Sequence, residues 1–325
     1  MNEFIHLEKI LPSTNATKIK NIQVIQNLWS DYGHILRINT NSKKYPSIIV
    51  KDINLSNIPN HPRGWNTDIS HERKIKSYQT EENFYKNYAL KSKTSIVPRF
   101  INCIKEKNRT LLIIEDLDAI GFNIRKEILN LDEVKSCIRW LANFHATFLN
   151  ESPNHLWPVG SYWHLETRQD ELAALNDPEL EEFAKRIDKK LNEAEFQTFV
   201  HGDAKVANFC FKPDDLEVAA VDFQYIGGGC GIKDLAYFMG SVLDENECEN
   251  LEGEILDYYF TQLKSTLSAL EKNISFTSLE TEWRELYPLC WADFSRFLMG
   301  WRPGHWKLNN FTKKMMKRAN KVISE

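Results

Sequence analysis

Phe199-Val200-His201-Gly202-Asp203-Ala204-Lys205-Val206-Ala207-Asn208-Phe209-Cys210-Phe211 is followed, after a polar turn at 212–217, by Val218-Ala219-Ala220-Val221-Asp222-Phe223-Gln224. The fold is read from this stretch. Two short apolar runs on either side of a polar turn predict a β-hairpin, with a tight loop entering it. Asp203 and Asn208 sit five apart on that loop, and Asp222 ends the second run. Three oxygen-bearing side chains are thereby brought to one end of a small sheet.

Phosphoryl transfer from a nucleotide needs such a set. One carboxylate orients the attacking hydroxyl and accepts its proton, while a second carboxylate and an amide hold Mg²⁺ against phosphate oxygens. Asp203 is the expected base, and Asn208 and Asp222 are the expected metal ligands. The bland alternative is a structural hairpin with solvated polar residues. His201-Gly202 before the loop and Val221-Asp222-Phe223 shortly after it favour the chemical reading.

The rest of the composition is compatible with an enzyme of one large or two medium domains. The chain has 325 residues, 42% of them apolar, and a net charge of −4. Nothing in that balance suggests a nucleic-acid or membrane surface. The basic run at 313–318 reads as a solvated helix face. No two of the six cysteines fall at a zinc or dithiol spacing. The first residues lack the basic start and apolar stretch of a secretory leader, so a cytoplasmic setting with free thiols is expected.

Upstream, residues 1–20 read as a polar lead-in. Strands are expected over 23–29 and 34–38, joined by Ser30-Asp31-Tyr32-Gly33. With one glycine, this turn reads equally as a phosphate-covering loop or as a plain hairpin. Residues 47–53 form a buried-type strand holding Lys51, which must either pair or snorkel to water. After a loop over 54–70, the apolar spacing predicts a helix over 71–88 carrying Glu81 and Glu82. Either could reach Lys51; Glu81, one turn before Phe84-Tyr85, is preferred. A second hairpin, 99–105 with 110–115, runs out into a connector whose free backbone groups could pair with an adenine edge.

Beyond about residue 118 the chain reads as mostly helical. A helix from Leu131 carries Val134, Ile138, Leu141, Ala142, His145 and Phe148 on one face, with His145 expected to be a hydrogen-bonded core residue. Polar helices are expected over 168–196. Four of the thirteen glycines fall in 227–231, which suggests either room for phosphate or substrate, or a floppy linker. Asp234 is expected to favour a helix dipole. Two long helical regions should close the chain, the last starting near a Thr277-x-x-Glu280 capping box. Four of the nine tryptophans fall between 283 and 306, either packing a core or walling an acceptor site.

With these residues in hand, the sequence resembles the aminoglycoside phosphotransferase and choline kinase superfamily, whose fold is protein-kinase-like. Within it the chain looks closest to the ecdysteroid-kinase-like branch and its bacterial relatives. The resemblance rests on 28–37, Ile49-Val50-Lys51, Arg73 to Tyr78 before Glu81-x-x-Phe84-Tyr85, Ile114-Glu115-Asp116-Leu117, Gly160-x-Tyr162-Trp163-His164-Leu165, His201-Gly202-Asp203-x4-Asn208 and Asp222-Phe223-Gln224. It implies an α+β fold of two lobes. A small antiparallel-sheet lobe for nucleotide would span 1–117, and a larger helical lobe for catalysis and acceptor would span 118–325. It implies ATP and Mg²⁺ as cofactors and a hydroxyl on a small molecule as acceptor, whether choline-like, aminoglycoside-like or sterol-like. Lys51 would match the lysine on the α- and β-phosphates and Glu81 its partner. Glu115 and Leu117 would offer backbone to adenine, Gly33 would belong to the phosphate loop, and Asp203, Asn208 and Asp222 would match base and metal ligands. Lys205, two residues after the base, is expected to neutralise charge on the transferring phosphoryl group. The departures are the single glycine beside Asp31, Gln224 in place of glycine, and no Ala-Pro-Glu. The last counts against a protein substrate. A protein kinase and a catalytically silent nucleotide-binding scaffold remain the rivals.

Overall fold

The computed structural model describes residues 5–28, 32–55, 68–213 and 216–324. Asp31 and most of the expected loop over 54–70 lie outside the described residues.

Five antiparallel strands build the first lobe: β1 (Ile19–Asn27), β2 (Gly33–Thr40), β3 (Ser47–Asn54), β4 (Phe100–Lys105) and β5 (Arg109–Glu115), in spatial order β1-β2-β3-β5-β4. Side chains alternate across such a sheet. Leu36, Ile38, Ile48, Val50, Leu111 and Ile113 therefore share one face and are buried there. The lead-in closes that face. It forms a 3-10 turn, Ile5–Ile10, and a short helix α1 (Leu11–Thr14), and it packs Leu7 and Ile10 into the cluster. The lead-in was expected to be polar, but its Leu7 and Ile10 sit where the sheet needs a cover. The opposite face presents Ile49 and Lys51, and helix α2 (Asp68–Asn87) belongs to the same lobe.

After β5 the expected connector begins with a 3-10 turn, Leu117–Ile120, capped by the Asp116 carboxylate on the Asp118 N–H at 3.1 Å. The second lobe then unfolds as α3 (Leu131–Phe148), α4 (Gln169–Ala173), α5 (Pro178–Asn192), β6 (Thr198–Val200), β7 (Phe209–Phe211), β8 (Val218–Ala220), β9 (Gly227–Gly229), α6 (Ile232–Val242), α7 (Glu245–Ala269), α8 (Phe276–Trp301) and α9 (Asn310–Ser324). Helix α3 starts where the sequence says, on an Asn130–Glu133 capping box, and its expected apolar face is buried throughout. The expected hairpin is β7 with β8, in register Phe209↔Ala220.

Two expectations near the end are corrected. Helix α8 is capped by Ser275 on the Ser278 N–H, and Glu280 pairs with Arg284 one turn on instead of closing a box with Thr277. Three helices, α7, α8 and α9, close the chain in place of the two long helical regions expected; the basic run sits on α9, after a break holding Pro303 and Gly304. Lys313, Lys314 and Lys317 are exposed there, as a solvated face requires.

The glycines at 227–229 are neither a linker nor phosphate space. They form β9, paired with β6, and a Cβ on Gly227 would lie 2.2 Å from the Trp157 carbonyl oxygen. Close backbone approach is the reason for glycine here. The strand ties the 157–160 segment to the loop that leaves β6.

Candidate active site between the lobes

The loop after β6 is fixed from below. Asp234, in the first turn of α6 and fully buried, accepts the backbone N–H of His201 at 2.5 Å and of Gly202 at 3.0 Å. Its partner on the other side is His145 Nε2 at 3.2 Å, whose Nδ1 meets the Tyr259 hydroxyl at 2.8 Å. His145 is thus the satisfied core histidine expected, and Asp234 is a tether for the loop more than a partner for a helix dipole. Gly202 has φ +77, and a Cβ there would lie 2.2 Å from the Tyr225 carbonyl oxygen, so the turn into Asp203 requires glycine.

From this turn Asp203 faces the cleft, largely buried. Its Oδ1 accepts the Tyr237 hydroxyl at 3.0 Å and its Oδ2 accepts Lys205 Nζ at 3.0 Å. Burial raises its carboxyl above the usual aspartate value; Lys205 opposes that, and the charge of Asp222 adds to it. Asn208 donates Nδ2 to the Asp203 carbonyl at 2.8 Å. Its amide oxygen is therefore assigned to the other side.

Asp222 follows β8 in a left-handed conformation, φ +69, which a β-carbon residue adopts only under constraint. The constraint is visible. Its Oδ1 accepts Lys51 Nζ at 3.1 Å and Gln224 Nε2 at 2.7 Å, and Gln224 Oε1 in turn accepts Lys74 Nζ at 2.7 Å. Withdrawal from water works against this charge, but Lys51, Lys74 and Lys205 more than offset it, holding the carboxyl well below the usual range. The departure at Gln224 is therefore put to use: its amide joins Asp222 to helix α2.

Lys51 does not snorkel. It lies on β3, between β2 and β5, on the cleft face, and meets both carboxylate oxygens of Glu81 at 2.6 and 2.8 Å. Burial works against its charge, yet Asp222 and Glu81 carry the ammonium pKa above that of ordinary lysine. Glu82 is turned away to Lys105 at 2.7 Å. Phe84 and Tyr85 fix the register: Phe84 stacks on Phe223 with centroids 4.1 Å apart, and Tyr85 meets the same ring edge-on. Truncating Phe84 to alanine costs about 3–5 kcal/mol by loss of packing and would loosen Glu81 and Asp222 together.

These residues open onto a cleft of about 780 Å³, lined by Lys51, Glu115, Leu117, Asp203, Lys205, Asn208 and Asp222. Seven of the residues expected from sequence thus converge on one cavity. Glu81 stands behind Lys51. Gly33 is not in the lining; at φ +130 its backbone lies so close to β3 that a Cβ would be 2.0 Å from the Asp52 carbonyl oxygen. Tight strand pairing accounts for that glycine, and contact with phosphate does not follow from it. Glu115 donates its N–H to the Arg99 carbonyl at 2.9 Å, and the Leu117 carbonyl accepts from Phe122 at 2.9 Å.

The aromatic residues divide. Trp283 and Trp291 are core, while Trp301 and Phe297 line the cleft with Tyr162, Tyr225 and Tyr237. Tyr237 was passed over in the sequence, although it lies one turn after Asp234 and so on the same face of α6. Arg73 and Arg168 line the same end; Arg73 opened a stretch that carried the family resemblance but was given no role at the site, and Arg168 carried no sequence signal. Among the described residues no group of three or more His, Cys, Asp or Glu side chains could hold a metal, and no helix is long and apolar enough to cross a membrane. The donor set Asn208 and Asp222 nevertheless suits Mg²⁺, which favours hard oxygens and takes few of its ligands from protein when phosphates supply the rest.

The ecdysteroid kinase-like family model matches residues 35–153 and 159–272. No curated protein sequence matches the chain. Among solved structures, the amicoumacin kinase hAmiN, determined in complex with AMP-PNP, Ca²⁺ and Ami, is similar at TM-score 0.55 and 12% identity, over 100% of this chain and 94% of that one. The choline kinase LicA from Streptococcus pneumoniae aligns at TM-score 0.46 and 14% identity, over 99% and 98% of the two chains. At 12% identity, what the amicoumacin kinase shares with this chain is the fold alone.

Proposed function

The chain belongs to the ecdysteroid kinase-like family, and on that premise we propose that it transfers the γ-phosphoryl group of ATP, with Mg²⁺, to a hydroxyl of a small molecule. The observation that carries this is the meeting of Asp203, Asn208, Asp222 and Lys51 in one cleft between the lobes. Lys51, held by Glu81, would neutralise the α- and β-phosphates. Adenine would lie against β5, using the Glu115 carbonyl and the Leu117 N–H, since the other backbone groups of these two residues already have partners.

Asn208 and Asp222 would hold the metal, which supplies charge neutralisation between phosphate oxygens when bound. Asp203 then takes the proton of the acceptor hydroxyl as its oxygen bonds to the γ-phosphorus. The bridge to the β-phosphate breaks, and ADP leaves with the electron pair. Tyr237 keeps the Asp203 carboxylate aimed, and its elevated pKa makes it a better base than a solvated aspartate. Lys205 would follow the charge on the moving phosphoryl oxygens. Positioning and electrostatics supply the rate, as in other phosphoryl transfer.

A phosphotransfer screen over a metabolite library, with Asp203→Ala as the blank, tests the reading. Transfer to at least one small alcohol that vanishes in the variant supports it. ATP turnover only onto casein or a peptide mixture would favour a protein kinase instead.

A further inference from the structure

Gln224 stands where glycine was expected, and its side chain decides how Asp222 can serve a metal. Its Oε1 accepts Lys74 Nζ at 2.7 Å and lies 3.3 Å from the Ser77 hydroxyl. An ammonium group can only donate, so the amide atom that meets Lys74 has to be the oxygen. The NH₂ group is thereby turned to Asp222, whose Oδ1 accepts Nε2 at 2.7 Å. The neighbours fix an orientation that electron count alone would leave open.

The amide is also held in place. Gln224 is 6% exposed, Ser77 is fully buried, and the Gln224 carbonyl accepts Trp157 Nε1 at 2.8 Å. Lys51 shares Asp222 Oδ1 at 3.1 Å, but in the proposed reaction Lys51 turns to the phosphates. Gln224 has no such task, and its anchors lie on α2 and at Trp157. The side-chain hydrogen bonds of Asp222 among the described residues all fall on Oδ1. The side chain nevertheless keeps 35% exposure in the cleft it lines.

The other oxygens nearby are limited as well. Asn208 Nδ2 donates to the Asp203 carbonyl at 2.8 Å and lies 3.3 Å from Asp203 Oδ2, which leaves Asn208 its one amide oxygen. Asp203 has Tyr237 on Oδ1 and Lys205 on Oδ2, each at 3.0 Å. In protein kinases one aspartate and one asparagine hold two Mg²⁺ ions. An aspartate reaches two ions most readily with one oxygen on each.

We propose that Gln224 restricts this cleft to one divalent ion per nucleotide. It keeps Asp222 Oδ1 out of coordination and leaves Oδ2 as the oxygen that Asp222 gives. One oxygen each from Asn208 and Asp222 suffices for a Mg²⁺ ion whose other ligands are phosphates and water. A second ion at Oδ1 has to displace a hydrogen bond made to a charged group. This deepens the phosphotransferase reading and rests on it.

The test counts Mn²⁺, through the loss of its free electron paramagnetic resonance signal, on the full chain loaded with an equal amount of AMP-PNP. The wild type should retain one ion per nucleotide. Gln224→Leu removes the amide donor, and Gln224→Glu replaces it with a carboxylate while keeping a partner for Lys74. Each variant should take up a second ion at least about tenfold more tightly than the wild type does, as loss of a charge-assisted hydrogen bond implies. Two ions of similar affinity on the wild type overturn the inference, whatever the variants do. One ion on the wild type and on every folded variant overturns the role of Gln224. If neither variant folds, the wild-type count decides the one-ion claim. A wild type that binds two ions and still phosphorylates a small alcohol leaves the phosphotransferase reading standing. A chain that retains no Mn²⁺ with AMP-PNP removes both.

Discussion

At one end of the cleft, Lys51, Asp203 and Asp222 each hold at least two polar partners, among them Glu81 on α2 and Tyr237 on α6. At the acceptor end, Tyr162 sits among the rings of Trp163, Tyr225, Tyr237, Phe294 and Phe297, and Phe297 stacks on Trp301 at 5.8 Å. One end is held by directed, charge-assisted bonds and the other by ring packing. In the proposed reaction charge develops at the first end, and only fixed dipoles and charges stabilise it without reorganisation. The second end needs shape, and dispersion contacts tolerate many shapes. Changes at the first end should therefore act on kcat and stability. Changes at the second should act on which alcohol is taken.

The sharpest break in that contrast comes from Asp203→Asn. Turnover should fall by about 10²–10⁴-fold, the range for losing a positioned base, while Mg·ATP affinity measured by calorimetry moves less than about threefold. A tenfold fall or less would remove Asp203 from the chemistry. Next, Lys51→Met leaves Glu81 buried and uncompensated. Chemical denaturation should show a loss of about 3–5 kcal/mol, and the double variant Lys51→Met with Glu81→Leu should recover most of it. If the single variant is as stable as wild type, the pair does not tie β3 to α2.

Tyr237 belongs to both ends, with its ring in the aromatic wall and its hydroxyl on Asp203. Burial already raises the Asp203 pKa, so the acid limb of the kcat profile should lie above the ordinary aspartate value. The base works above that limb and is lost as pH falls through it. Tyr237→Phe removes a donor to the charged form, which raises the pKa further. The limb should move to higher pH by up to about one unit; a shift to lower pH would contradict the hydrogen bond. The smallest effect is expected from Trp301→Ala, which should raise the acceptor KM about threefold to tenfold and leave the KM for ATP where it was. A change confined to the KM for ATP would erase the division between the two ends.

The same contrast explains what could be read from the sequence. Asp203, Asn208 and Asp222 are close along the chain, and a short hairpin leaves little freedom in where they face. The apolar run around Lys51 marked a buried strand, but whether the lysine paired or snorkelled depended on α2, far away in sequence. Phe84 and Tyr85 one turn on made Glu81 the preferred partner, but the sequence left Glu82 open, and only the packing of α2 settles the choice. The glycines at 227–229 were misread because their cause, the backbone at Trp157–Pro158, enters from another segment. The acceptor wall was half-seen: the tryptophan run was visible, but only tertiary packing sends Trp283 into the core and Trp301 into the cleft. Arg73 and Arg168 come together from α2 and the turn before α4, and no local pattern announces such a meeting.

The most direct measurement is anomalous diffraction from Mn²⁺ in crystals grown with a non-hydrolysable ATP analogue. A manganese peak beside the oxygens of Asn208 and Asp222, with the terminal phosphate against Asp203, is the required result. A nucleotide bound elsewhere, or a metal that touches neither 208 nor 222, would contradict it.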